Sequence, residues 1–196
     1  LQTSNLPLTS YYAIGFASPP GAFNGSGTYR IPSEYYKSLS CAPTGEAGSP
    51  GIFQAINSVG VTGPVTIIID GDIYTETGTH ALNRSGTTAT DTIRVIPDGT
   101  ELRLVSGSAA GNGMIVLDGA NYLTIDGRFG GTGQYLLFRN TGTGATLGLV
   151  GTTGNAGAEN NRFRNTFFEG SGTGVIIFGG SVTAGSNGNS NNTLFN

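Results

Sequence analysis

Beyond Gly60, the chain alternates short apolar, often β-branched runs with clusters of glycine, asparagine, aspartate and threonine. Many of these runs are followed at once by a turn dipeptide such as Asp-Gly or Gly-Gly. Short runs bounded by turn residues predict strands of a few residues joined by tight corners. The predicted strands lie at residues 65–69, 92–96, 101–105, 114–117, 122–125, 135–138, 147–150, 162–163, 166–168, 175–178 and 193–195.

The apolar runs follow one another in a loose internal repeat. An apolar strand, a glycine turn, a loop, an asparagine and a second short strand follow one another over residues 114–127, 147–170 and 175–196. The period of about 30 residues is typical of a solenoid, whose coils bury their inward side chains against neighbouring coils. Asparagine suits the corners, because it tolerates left-handed backbone geometry and its side chains can stack from coil to coil. Alternation at 162–164 places Phe163 inside and both arginines outside. The sequence therefore predicts an all-β protein built as a parallel β-helix.

One short helix is expected before the first strong strand. Ser49 fits the N-cap, Pro50 fits the first helical position, and Gly60 is a suitable stop. The predicted apolar face consists of Ile52, Phe53, Ile56 and Val59. A helix at this point can cover the end of the solenoid, as a terminal cap must. We expect two regions: an irregular, extended segment over 1–48 and a β-helix over 49–196 that continues past Asn196.

Composition narrows the class of protein further. The 196 residues include 34 glycines, and 9 Lys+Arg against 12 Asp+Glu give a net charge of -3. Such a charge argues against a basic nucleic-acid binder. The sequence contains no apolar run near 18 residues, so no transmembrane helix is predicted. Cys41 is the only cysteine, which leaves no intrachain disulfide to predict.

Residues 52–76 carry a resemblance to a known family. They contain Gly60-Val-Thr-Gly-Pro-Val-Thr66 and then Tyr74-Thr-Glu76, and they resemble the capping helix and first coil of right-handed, pectin-lyase-like β-helix proteins. The closer similarity is to large secreted surface proteins of gliding bacteria that use type IX secretion. The stretch 118–127 and Asn191-Asn-Thr193 also resemble that family. The resemblance implies a right-handed parallel β-helix and an extracellular or cell-surface location. It says little about activity, because this fold hosts lyases, hydrolases, adhesins and passive stalks.

Lyases and hydrolases of this superfamily use acidic clusters beside a basic residue. The corresponding candidates here are Asp70, Asp72, Asp118, Asp126, Arg128 and Arg139. Three of these aspartates, however, are followed by glycine directly after a predicted strand, which tight turns favour for backbone reasons. His80 has no second histidine or cysteine near it in the sequence to share a metal. We therefore predict no catalytic residue, no metal site and no cofactor.

Carbohydrate binding is the remaining chemistry that we assign to named residues. Tyr122 and Tyr135 can stack on sugar rings and Arg128 can clamp their hydroxyls, although aromatic residues on a β-surface are also explained by packing. The expected function is an extracellular structural or adhesive module of a surface protein or fibre. Its expected partners are a glycan or copies of itself.

Three further interpretations accompany this one. The apolar segment from Leu6 to Phe16 and the open end near Phe195 predict assembly into a homopolymer, with one subunit's segment covering the next subunit's end. A polysaccharide lyase or glycoside hydrolase is the alternative from another class. A trimeric glycan-binding tailspike is the third.

Overall fold

The computed structural model describes residues 21–41, 51–84, 89–90, 92–152, 157–172, 174–180 and 188–195. The predicted assembly segment, Leu6 to Phe16, lies outside them. Within the described residues there are thirteen short strands and one helix. In chain order they are β1 (Gly27–Ile31), α1 (Ile52–Val59), β2 (Val65–Ile69), β3 (Ile73–Glu76), β4 (Ile93–Pro97), β5 (Arg103–Gly107), β6 (Ile115–Asp118), β7 (Leu123–Asp126), β8 (Leu136–Asn140), β9 (Leu147–Gly151), β10 (Arg162–Arg164), β11 (Phe167–Gly170), β12 (Ile176–Gly180) and β13 (Thr193–Phe195).

The strands form three parallel sheets. Sheet A has the order β1-β2-β4-β7-β10-β13, sheet B the order β11-β8-β5-β3, and sheet C the order β12-β9-β6. From β2 onwards, strands that follow each other in the chain enter different sheets, and each strand of sheet A pairs in parallel with its counterpart one coil away. Val65 pairs with Ile93 and Ile93 with Leu123, which are spacings of 28 and 30 residues. The prediction of a parallel β-helix is confirmed, with about four coils.

The core is a set of side-chain columns that run through the coils. Ile67, Val95, Ile125 and Phe163 occupy one register position on neighbouring strands of sheet A, and all four are buried. The column continues to Leu194, which is 41% exposed because no described strand lies beyond β13. As predicted, Phe163 points inward while its neighbour Arg162 faces solvent.

Asparagine shapes and links the corners of the coils. Asn160, Asn165 and Asn191 have φ angles of 57°, 51° and 56°, in the left-handed region that asparagine tolerates. Asn161 is buried, and its amide donates to Ala120 O at 2.9 Å and to Asn192 Oδ1 at 3.0 Å. Its own Oδ1 accepts the backbone N–H of Leu123 at 2.9 Å. These contacts join three coils, as the sequence predicted for stacked asparagines.

The helix begins later than the sequence predicted. Gly51 occupies the N-cap position without a side-chain cap, while Ser49 and Pro50 lie outside the described residues. Ile52, Phe53 and Ile56 are buried as expected, but Val59 is 49% exposed, so the buried face ends one turn before the helix does. Gly60, at φ 85°, donates its N–H to Ile56 O and ends the helix as predicted.

The N-terminal region contains a strand that the sequence pattern did not reveal. Within the segment expected to be irregular, β1 pairs in parallel with β2 and adds one more rung to sheet A. Only Tyr29 and Ile31 of this strand point inward, and two apolar positions are too few for alternation to stand out. The solenoid therefore starts before the helix in sequence.

Candidate functional site

The outer face of sheet A carries a cluster of arginines around one aspartate. Asp126, at the end of β7, is in register with Arg164 of the next coil. Although it occupies an outward position of its strand, its side chain is 0% exposed because guanidinium groups cover it. Arg164 Nη2 lies 2.9 Å and Arg94 Nη2 3.2 Å from Asp126 Oδ2. We call Asp126 with Arg94, Arg128 and Arg164 the arginine cluster.

Arg128 makes the closest pairing within this cluster. Its Nε donates to Asp126 Oδ1 at 2.9 Å and its Nη2 donates to Oδ2 at 3.0 Å, which is the bidentate geometry of a strong ion pair. The backbone N–H of Arg128 also reaches Oδ1, at 3.2 Å. The predicted turn at Asp126-Gly127 is not formed: Asp126 is the last residue of β7, and Gly127 after it still donates its N–H to Arg164 O of the next coil. The carboxylate of Asp126 is instead the centre of the cluster.

The pKa of Asp126 reflects these contacts. Burial by itself raises the pKa, but hydrogen bonds from Arg128 and the charges of Arg164 and Arg128 outweigh burial and lower it to about 2. The carboxylate is therefore ionised at any physiological pH, and its lone pairs are already engaged. A group in this state suits neither proton transfer nor the binding of a cation.

A polar groove lies at the corner where the chain enters sheet A. It has a volume of about 340 Å³ and runs across four coils, at β4, β7, β10 and β13. Arg162 and Thr124, neighbours on the outer face, connect the groove with the arginine cluster through β7 and β10. Its lining consists of Ala89, Thr92, Tyr122, Thr124, Asn160, Arg162, Asn191 and Thr193, and we call it the corner groove.

Tyr122 is the unusual residue of the corner groove. Its φ of 59° is left-handed, like those of Asn160 and Asn191, which are its counterparts in the next two coils. An aromatic residue in this conformation is strained by roughly 1–3 kcal/mol, whereas asparagine is not. Backbone strain of this kind is concentrated at functional sites, so the conformation of Tyr122 supports a functional role for its ring in the groove.

The three residues predicted to bind carbohydrate are not gathered in one place. Tyr122 lines the corner groove at the start of β7, and Arg128 follows the end of the same strand. Tyr135 lies just before β8, and its N–H donates to Gly127 O, beside Arg128. Of the three, Tyr122 and Arg128 flank the outer face of sheet A, while Tyr135 marks the entry to sheet B.

The acidic candidates for catalysis are spread over the solenoid. Asp118 ends β6 in sheet C, where it accepts the N–H and the hydroxyl of Thr152 at 2.8 and 2.6 Å. Asp72, before β3, accepts hydrogen bonds from Tyr74 and from the backbone of Leu104. These two aspartates therefore link neighbouring coils, on different sheets.

Three other ion pairs, in two groups, lie at or beside the remaining candidates. Arg139 of β8 donates to Glu169 of β11 at 2.7 Å on sheet B. Arg30 contacts both Asp70 at 2.8 Å and Asp98 at 2.7 Å, on the exposed edge between sheets A and B. Within the described part of the chain, this last group alone joins two carboxylates to one arginine.

Glu76 is a buried acidic residue whose role the sequence did not reveal. Its carboxylate accepts the backbone N–H groups of Leu39 at 2.6 Å and Ser40 at 2.8 Å, and the Ser40 hydroxyl at 2.5 Å. Burial raises the pKa of Glu76, while the hydrogen bonds from Ser40 and Leu39 lower it in part. The residue fixes the N-terminal segment onto the first coils. Its place beside the Tyr-Thr of the family-like motif was the available signal, although no strand was predicted there and the structure forms β3.

Among the described residues, no three His, Cys, Asp or Glu side chains gather as a metal site requires. The single helix in this part of the chain is too short to span a membrane. Comparison of the sequence with protein-family models, and with curated proteins, finds no match, and comparison with solved structures finds none either.

Proposed function

We propose that this protein is an extracellular structural or adhesive module that contacts glycans through the outer face of sheet A. The observation that carries the proposal is the corner groove, in which a strained tyrosine and an arginine stand among asparagines and threonines. Hydroxyl and amide side chains match the hydrogen-bonding groups of sugars, and an aromatic face packs against their C–H groups. The resemblance to secreted surface proteins supports the location.

The solenoid suits such a role for a mechanical reason. Each coil is held by the coils beside it, so the groups on the outer face have fixed spacing along the long axis. A rigid surface loses little conformational entropy when it binds a ligand. Because this cost is small, several weak contacts on an open surface can give useful affinity without one deep pocket. Repeated contacts along an extended glycan then add through effective concentration.

The test replaces Tyr122 with asparagine. Tyr122→Asn removes the ring but keeps a residue that the two following coils already use at this corner. We expect binding to immobilised polysaccharides to fall at least 10-fold, while the melting temperature stays equal or rises. Tyr74→Asn is the matched control, because Tyr74 is an exposed tyrosine on sheet B. Equal binding by the wild type and Tyr122→Asn, or no binding to any polysaccharide, would contradict the proposal.

The alternative function is a polysaccharide lyase or glycoside hydrolase. The observation in its favour is the convergence of Asp70 and Asp98 on Arg30. An absorbance assay for unsaturated products, together with a reducing-sugar assay, decides between the two functions on acidic and neutral polysaccharides. Turnover that is abolished by Arg30→Ala would favour the enzyme over the binding module.

Self-assembly is a separate part of the proposal. The last described coil exposes Phe178, Leu194 and Phe195, which are apolar side chains that a second copy can cover. Deletion of residues 1–20 is expected to prevent polymerisation if the N-terminal segment provides that cover. Unchanged polymers after deletion would show that the segment has no part in assembly.

A further inference from the structure

The outer face of sheet A is cationic on a protein whose net charge is negative. Three guanidiniums of the arginine cluster contact the single carboxylate of Asp126, and Arg162 adds a fourth guanidinium on the same face. The whole chain has 9 Lys+Arg and 12 Asp+Glu, so positive charge is concentrated here while the rest of the molecule is acidic. Among the described residues, Arg162 forms no ion pair and is exposed, so its charge is available.

The coil geometry spreads these charges in two directions. Arg94 and Arg162 are outward residues of β4 and β10, on either side of Thr124 of β7. Two strand spacings separate their Cα atoms by about 10 Å, and the short threonine leaves the space between them open. Arg164 is two residues along the same strand from Arg162, about 7 Å away. The guanidiniums therefore form an array and not a single point of charge.

Most of the hydrogen-bond donors in this array remain unused by Asp126. A guanidinium carries five N–H donors. Arg94 and Arg164 each contact the carboxylate through Nη2 alone, which leaves their other Nη donors for a ligand; the Nε of Arg164 also lacks a partner among the described residues, but it is buried. The face thus presents planar, always-charged donors that suit carboxylate or sulfate groups.

We infer that the ligand of this face is a polyanionic polysaccharide whose carboxylate or sulfate groups lie on Arg94, Arg162 and Arg164 while its sugar rings reach the corner groove. This inference rests on the proposed glycan-binding function and narrows its ligand class. A neutral glycan would leave the guanidiniums unmatched. A repeating anionic chain meets several of them at once, at intervals set by the coil spacing.

The experiment measures binding of the full chain to four soluble probes at several salt concentrations. Dextran sulfate carries sulfates, polyguluronate carries carboxylates, and unmodified dextran is the neutral match. Single-stranded DNA is a polyanion whose backbone contains deoxyribose but none of the pyranose rings that the three polysaccharides offer to the groove. We expect at least 10-fold tighter binding of one or both anionic glycans than of dextran, with affinity that falls as salt rises. The two anionic probes show which acid group is preferred.

Variants connect the binding with the named residues. Arg162→Ala is expected to weaken binding of the anionic glycan at least 5-fold and to reduce its salt dependence. Arg162→Lys should recover only part of the affinity, because lysine lacks the planar fork. Arg139→Ala, on sheet B and paired with Glu169, is the matched control and should bind like the wild type.

Three outcomes would overturn the inference. If dextran binds as tightly as the anionic glycans, the ligand class is wrong but the proposed glycan-binding function stands. If DNA binds as tightly as the anionic glycans, the face is a general polyanion surface. If no glycan binds, both the inference and the proposed function fail.

Discussion

Replacing Asp126 with asparagine tests whether the arginine cluster stabilises the solenoid. The change keeps the shape of the side chain but removes the charge that three guanidiniums share. The pKa of Asp126 is lowered from 3.8 to about 2, which corresponds to about 2 kcal/mol of stability at neutral pH. Because the variant also leaves three arginines facing one another without their counter-charge, we expect a total loss of about 2–4 kcal/mol.

The pH dependence of this loss identifies its origin. A carboxylate with a lowered pKa contributes its full stability above the unfolded-state pKa and loses it as the pH falls towards the folded-state value. The charge-dependent part of the difference between wild type and Asp126→Asn should therefore be largest at pH 7 and about half as large at pH 3. Urea unfolding of both proteins at pH 7, 5 and 3 measures it.

Asp98→Asn is the control for this experiment. Asp98 pairs with Arg30 but is 40% exposed, so its removal is expected to cost less than about 0.5 kcal/mol. A loss for Asp126→Asn that does not change between pH 7 and pH 3 would refute the electrostatic explanation. So would a loss no larger than that of the control.

Three further predictions concern the interior. Gly107→Ala is expected to lower the free energy of unfolding by about 3 kcal/mol, because the new Cβ would lie 1.8 Å from Glu76 O. Gly179→Ala is the control, since the space around Gly179 is open, and it should be neutral. Urea unfolding measures both variants. Burial raises the pKa of Glu76, so the folded protein binds the carboxyl proton more tightly than the unfolded protein does. Wild-type stability should therefore fall as the pH rises above about 4.5. Melting temperatures between pH 4 and 8 measure this slope, and Glu76→Gln should lack the part of it that Glu76 causes. Asn161→Ala leaves the backbone groups that it bridges unpaired, with an expected loss of about 2 kcal/mol or more by the same unfolding assay.

The fold was predictable because its signals are local. The alternation at 162–164 and the asparagines at the corners each concern a few adjacent residues, and both predictions were confirmed. The first rung was missed because β1 has only two inward apolar side chains. The start of the helix was misplaced because a serine and a proline look like a cap, while the chain uses Gly51 without a side-chain bond.

The arginine cluster was not predictable in the same way. Arg94, Asp126 and Arg164 come from three successive coils, at spacings of 32 and 38 residues. Paired residues are 30 positions apart between β4 and β7 but 38 apart between β7 and β10, so no fixed repeat length aligns these positions along the sequence. Arg128 was singled out as a sugar ligand, but in the structure its side chain folds back onto Asp126, two residues before it, in a bidentate contact. The cluster depends on the register of β4, β7 and β10 in sheet A, which the spacing of its residues along the sequence does not reveal.

The arginines around Asp126 have different roles, some in holding the fold and some in offering donors to a ligand. Arg128 uses Nε, Nη2 and its backbone N–H on the carboxylate, so it has little left to offer a ligand and belongs to the fold. Arg94 contacts Asp126 only at 3.2 Å through one nitrogen and is 48% exposed, so an external anion can bind it without uncovering the aspartate. The outer face can therefore hold a polyanion and keep its internal ion pair at the same time, which a single shared arginine could not do.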